Sequence, residues 1–138
     1  MKYIGLDLGS RTLGVAISDE LGILARAYDT LRFRDDDYET AINYTIDICK
    51  KENVSTVILG LPKHMNGDEG IRAQISFSFK AAIEEKSSIK VILMDERLTT
   101  VIVDRAMIEG NVRRKDRHQK KDEMAAVVIL QDYLDKIR

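Results

Sequence analysis

Apolar and polar positions alternate from the first residues of the chain. In Tyr3-Ile4-Gly5-Leu6-Asp7-Leu8-Gly9, the residues Ile4, Leu6 and Leu8 share one side, and this period of two predicts a β-strand. The turn residues Gly9-Ser10-Arg11-Thr12 lead into LGVAIS (13–18), a second strand, and DELG (19–22) turns the chain into a third, ILARAYDTLRF (23–33). Connections this short make the three strands antiparallel neighbours. The acidic run Asp35-Asp36-Asp37 offers helix N-caps, and Ile42, Ile46 and Cys49 then recur at helical spacing until KKEN (50–53) closes the element. VSTVILGLP (54–62) reads as a buried strand ended by Pro62. After a loop, Ile71, Ile75, Phe79 and Ala82 mark one helical face, and IKVILMDE (89–96) is the fifth strand. A helix is expected from LTT (98–100) through Ala106 and Ile108 to Gly110. A polar, basic stretch read as a loop follows, and then a last helix over 122–137 with Val127, Leu130, Leu134 and Ile137 facing inward.

Three antiparallel strands followed by alternating strands and helices predict an α/β fold. Its core is a five-stranded mixed sheet in the order 3-2-1-4-5, with helices on both faces. The chain of 138 residues is read as a single domain, 1–138, without repeats or linkers. Hydrophobic residues make up 44% and charged residues 33%, which excludes a disordered chain. No stretch is apolar enough to span a bilayer, so no membrane partner is expected. A lone cysteine, Cys49, rules out an intrachain disulfide and a cysteine-based zinc cluster, and the expected location is the cytoplasm.

Charge is unevenly placed. RRKDRHQKK (113–121) carries +5 with His118 neutral, leaving −6 for the rest of a chain whose net charge is −1. A cationic tract on an acidic body predicts contact with a polyanion at one place; a solvated loop is the plainer alternative. Asp7 is the sharper anomaly, because an ionised carboxylate inside an apolar strand needs compensation. Other acids stand at element ends: Asp95 and Glu96 close the fifth strand, and Asp122 and Glu123 open the last helix. Taken singly, Asp7 reads as a hydrogen-bonded structural acid and Asp122 as an N-cap. Taken together they form a candidate metal site, since divalent cations reverse the repulsion between converging carboxylates. Hard oxygen ligands select Mg²⁺ or Mn²⁺, and a pair of ions suits phosphodiester cleavage. In the predicted strand order the fifth strand stands ~10 Å from the first, a gap that the longer Glu96 bridges better than Asp95. Gly5 and Gly9 share the strand face of Asp7, so a bulky backbone is expected to approach there. Ala125 and Ala126 leave room for the last helix to lie close to the sheet.

The blocks IGLDLGSRTLGVAISD, GLPKHMNGDEG, DERLTT and KDEMAAVVIL resemble the signature blocks of the YqgF/RuvX family, and the resemblance runs over essentially the whole chain. It implies a ribonuclease H-like fold and a metal-dependent nuclease that processes the 5′ end of precursor 16S rRNA in ribosome biogenesis, with ribosome-assembly intermediates as partners. Resolution of Holliday junctions in branched DNA is the alternative the same family implies. The family's acidic site falls on Asp7, Glu96 and Asp122, which would ligate Mg²⁺ or Mn²⁺, two ions in all. Arg97, Asn66 and the basic tract (Arg113, Arg114, Lys115, Arg117, Lys120 and Lys121) are the candidate nucleic-acid contacts. Two further classes compete. LDLGSRTLGVA also resembles the phosphate-binding hairpin of sugar kinases and actin-like ATPases, which need a second such domain. A non-catalytic nucleic-acid-binding module would keep the basic tract but not depend on Asp7.

Overall fold

The computed structural model describes residues 1–61, 69–95 and 114–137, except the side chains of residue 69 and of residues 114–123. Strands β1 (Ile4–Leu8), β2 (Thr12–Ser18) and β3 (Ala25–Arg32) form an antiparallel meander. Helix α1 (Tyr38–Glu52) follows, then β4 (Thr56–Leu61), α2 (Glu69–Lys86), β5 (Lys90–Asp95) and α3 (Arg114–Ile137). The sheet order is β3-β2-β1-β4-β5, with β4 parallel to β1 and β5 parallel to β4. This is the mixed sheet read from the sequence. The helix expected over 98–110 lies outside the described residues.

Each boundary has a local cause. Asp37 caps α1, its carboxylate accepting from the Thr40 backbone N–H at 3.5 Å and the Thr40 hydroxyl at 2.7 Å. At the other end Asn53 adopts the left-handed conformation and its N–H returns to the end of the helix, where it meets the Cys49 carbonyl. Burial divides cleanly between the faces of β1. Ile4, Leu6 and Leu8 enter a core with Val57, Leu59, Val91, Ile42, Ile46, Phe79 and Ile83, under α1 and α2. The other face is covered by α3, whose Ala126, Ile129, Leu130 and Leu134 pack with Ala16 and Ile58.

Three expectations change. The basic stretch is not a loop: α3 begins at Arg114, so Arg114, Lys115, Arg117, Lys120 and Lys121 belong to its first turns. Asp122 therefore stands inside the helix rather than at its N-terminus. Arg and Lys are good helix formers, and the tract lacks only the apolar periodicity that would have revealed it. Ile71 is 73% exposed, although it was read onto one apolar face with Ile75, Phe79 and Ala82, and Ile137 is 48% exposed against its expected inward position. Both lie in a terminal turn of their helix, where apolar spacing continues past the surface the helix rests on.

Candidate active site

Tyr3, Gly5 and Asp7 alternate onto the α3 face of β1, and the contacts along that face fix the direction of the helix. The ring of Tyr3 lies 5.8 Å from that of Tyr133. A Cβ on Gly5 would meet the Leu130 Cβ at 2.6 Å and the Ala126 carbonyl oxygen at 3.0 Å. Helix numbers fall as strand numbers rise, so α3 runs antiparallel to β1. One more pair of strand residues advances ~6.8 Å, which is about four to five helical residues at ~1.5 Å each. Asp7 is thus level with the turn of α3 just before Ala126. Asp122 belongs to that turn, four residues ahead of Ala126 in the helix.

The backbone that approaches Gly5 is the protein's own. The open face at Gly5 was expected to admit a bulky backbone, and α3 fills it. Gly9 closes the β1–β2 hairpin, its N–H donating to the Thr12 carbonyl at 2.8 Å. A Cβ there would stand 3.1 Å from the Thr12 hydroxyl oxygen.

Asp7 is half-buried near the C-terminal end of β1, opposite Gly14 of β2. On its other side the parallel ladder pairs Gly5 with Ile58 and Ile58 with Ile92, and the next row pairs Gly60 with Met94. Ile92 and Met94 pack on the α3 cluster, so this parity of β5 faces the same way as Asp7. Asp95 is on the opposite parity, shared with Val91 and Leu93 of the other core. That parity separates Asp95 from the face carrying Asp7. Glu96, the next residue in sequence after β5, lies outside the described residues, as do Asn66, Arg97 and Arg113. Among the described residues no group of three His, Cys, Asp or Glu side chains is placed to hold a metal ion; Glu96 and the Asp122 side chain are not in that set.

Two arginines at this rim were not singled out by sequence reasoning. The Arg72 guanidinium, from α2, donates to the Leu8 carbonyl at 2.8 Å, tying the end of β1 to the helix layer beneath. Tyr38 lies beside it; burial raises the phenol above its ordinary value, with its hydrogen bond to Asp36 adding to the rise and the neighbouring Arg72 opposing it. Arg11 is at the hairpin tip, with its Nε 3.7 Å from an Asp35 carboxylate oxygen. Nothing in the sequence marks Arg72, because a single arginine on a helix carries no positional signal. Arg11 was within the quoted first block, but its place at the tip needs the register.

A family model described as RuvX, Holliday junction resolvase, matches residues 1–136. The chain belongs to the RuvX family. Among its curated relatives is a Staphylococcus aureus protein (strain JH9) named "Putative pre-16S rRNA nuclease". It is 47% identical over 137 residues, covering 99% of this chain and 96% of the relative. Solved structures with the same fold include Thermus thermophilus RuvC in complex with a Holliday junction substrate, with a TM-score of 0.60 at 13% identity. That match covers 99% of this RuvX chain and 96% of the RuvC chain. The fowlpox virus Holliday junction resolvase matches over all of both chains, with a TM-score of 0.58 at 17% identity. With the observed strand order, these likenesses give the RuvX chain a ribonuclease H-like fold. Among the described residues no helix is long and apolar enough to cross a membrane.

Proposed function

We propose that this RuvX protein is a divalent-metal-dependent nuclease that hydrolyses phosphodiester bonds of precursor 16S rRNA, with Asp7, Glu96 and Asp122 as its metal-holding carboxylates. The observation that carries this reading is the antiparallel register of α3 on β1. That register, extended by one strand pair from the Gly5 contacts, supports pairing Asp7 with Asp122 rather than with an acid elsewhere on the helix. The parity of β5 favours Glu96 as the third ligand. The name borne by the S. aureus relative supports precursor rRNA as the substrate.

The donor set fits a hard cation, since all three groups offer carboxylate oxygens and none offers nitrogen or sulfur. Two such carboxylates at ~5 Å repel by about 3 kcal/mol at an effective dielectric near 20, so the site favours cations strongly. Mg²⁺ or Mn²⁺, bound as a pair, would supply charge neutralisation and an activated water at the reacting phosphate. The chain's own share is to hold and orient. Arg72 anchors the strand end beside Asp7 through the Leu8 carbonyl. The basic turns of α3 precede Asp122 in a helix running antiparallel to β1, so they extend beyond the C-terminal rim of the sheet. Arg114, Lys115, Arg117, Lys120 and Lys121 of those turns would hold phosphates without reading bases, a role the sequence also suggests for Arg113, Arg97 and Asn66. Ribosome-assembly intermediates in the cytoplasm are the setting this substrate implies.

Cleavage of branched DNA is the second reading, favoured by the family description as Holliday junction resolvase. Symmetric cutting of a junction would require a two-fold dimer, whereas rRNA trimming would not. One assay separates the possibilities. Mn²⁺-dependent cleavage is compared on precursor 16S rRNA, a four-way DNA junction and duplex controls, with wild type and Asp7→Asn. The expected result is metal-dependent cleavage of the RNA by wild type, lost in Asp7→Asn. The variant's melting temperature in EDTA should equal or exceed that of wild type, because a repelling charge is gone. Undiminished cleavage by the variant would overturn the catalytic reading and leave a nucleic-acid-binding module. A marked fall in its melting temperature would make Asp7 structural.

A further inference from the structure

Arg11 has an unusual mount. It occupies, with Ser10, the two-residue tip of the β1–β2 hairpin that Gly9 and Thr12 close. Both tip carbonyls are taken: Phe33 N–H donates to Arg11 at 2.9 Å and Asp36 N–H donates to Ser10 at 3.0 Å. Neither tip residue has a left-handed backbone. The backbone is fixed from below while the Arg11 side chain is 73% exposed. Its one described ionic partner, Asp35, is itself 57% exposed and stands at 3.7 Å. Exposed pairs of this kind hold each other weakly and yield readily to a competing anion.

The tip is at the same end of the sheet as Asp7. The ladder runs Asp7↔Gly14, Leu8↔Leu13 and then Gly9 to Thr12, which places the tip three rungs, or ~10 Å, beyond Asp7. That separation corresponds to about three rises of a nucleic-acid strand at ~3.4 Å each. A strand with its reacting phosphate at Asp7 would thus carry a neighbouring phosphate within reach of the tip. A guanidinium is the side chain whose planar fork matches two phosphate oxygens.

We propose that Arg11 is a phosphate clamp for the nucleic-acid backbone flanking the cleavage site, and that Asp35 holds the guanidinium in the free protein until a substrate phosphate displaces it. This rests on the nuclease reading for the position of the reacting phosphate. Asp35 is then a competitor built into the loop that supports the hairpin. It weakens binding of any single phosphate and leaves occupancy to substrates that also engage the basic turns of α3.

The test is fluorescence anisotropy with a fluorescein-labelled RNA hairpin, in EDTA to prevent cleavage, across a KCl series. Wild type, Arg11→Gln, Asp35→Asn and the double variant are compared. Arg11→Gln should weaken binding about fivefold near 0.1 M salt and reduce the slope of log K against log salt by about 0.7–0.9, the share of one phosphate contact. Its melting temperature should match wild type. Asp35→Asn should tighten binding, and only when Arg11 is present. An unchanged affinity and slope for Arg11→Gln would overturn the clamp. Equal tightening by Asp35→Asn with or without Arg11 would overturn the competition. If wild type binds no RNA, the clamp and the rRNA reading fail together. An Arg11-dependent affinity in a protein that shows no Mn²⁺-dependent cleavage would strike the nuclease reading alone.

Discussion

Gly5 lacks a side chain at a position where α3 leaves room for none. A Cβ there meets both a side-chain carbon of Leu130 and the backbone carbonyl of Ala126, and backbone cannot swing aside. Gly5→Ala should therefore cost about 1–3 kcal/mol, the range for overpacking, read as a fall in the urea midpoint with an unchanged slope. Cys49 gives a second outcome at this scale. Burial pushes its thiol up to about 12, so it stays protonated well above neutral pH. In the native protein at pH 8, a thiol-specific disulfide reagent should react only as fast as the protein opens; rapid stoichiometric labelling would show Cys49 to be accessible. Asp7 was legible in the sequence because a carboxylate among alternating leucines conflicts with its surroundings. Arg11 and Arg72 were not, since their meaning lies in which strand end they reach.

At the scale of elements, strands were easier to read than helix ends. All five strands came from period-two alternation or a β-branched run, and the lone Pro62 fell just beyond the end of β4. Helical spacing identified the stripe of α3 through Leu130 and Leu134 but overshot to Ile137, because sequence does not record where the sheet beneath stops. The same blindness hid the first turns of α3. A helix extending past the sheet needs no apolar face, and without one the tract resembles a loop. The N-terminus of α1 was clearer, since three successive aspartates announce a cap, although only the structure selects Asp37. Asp37→Ala should remove that cap and lower stability by about 1 kcal/mol, measured by urea unfolding at neutral pH. A change indistinguishable from zero would mean that tertiary packing alone fixes where α1 begins.

For the molecule as a whole, fold and charge serve one arrangement. A meander feeding two parallel strands brings the C-terminal ends of β1 and β5 to the same rim of the sheet, and α3 crosses that face in the opposite direction to β1. In the proposed site, acids distant in sequence would meet at that rim, and the helix that carries Asp122 opens with a strongly basic stretch. The strand order and the faces were readable because each residue's parity had only two choices. The level of α3 against β1 was not readable, since it depends on which helix residues come to rest on Gly5 and Tyr3. The most direct measurement is an anomalous-difference map from a crystal of wild-type protein soaked in Mn²⁺. The account predicts peaks within about 2–2.5 Å of carboxylate oxygens of Asp7, Glu96 and Asp122 together. Density for Glu96 or Asp122 beyond ~12 Å from Asp7, with no Mn²⁺ between them, would contradict it, since paired ions stand only ~3.5–4 Å apart.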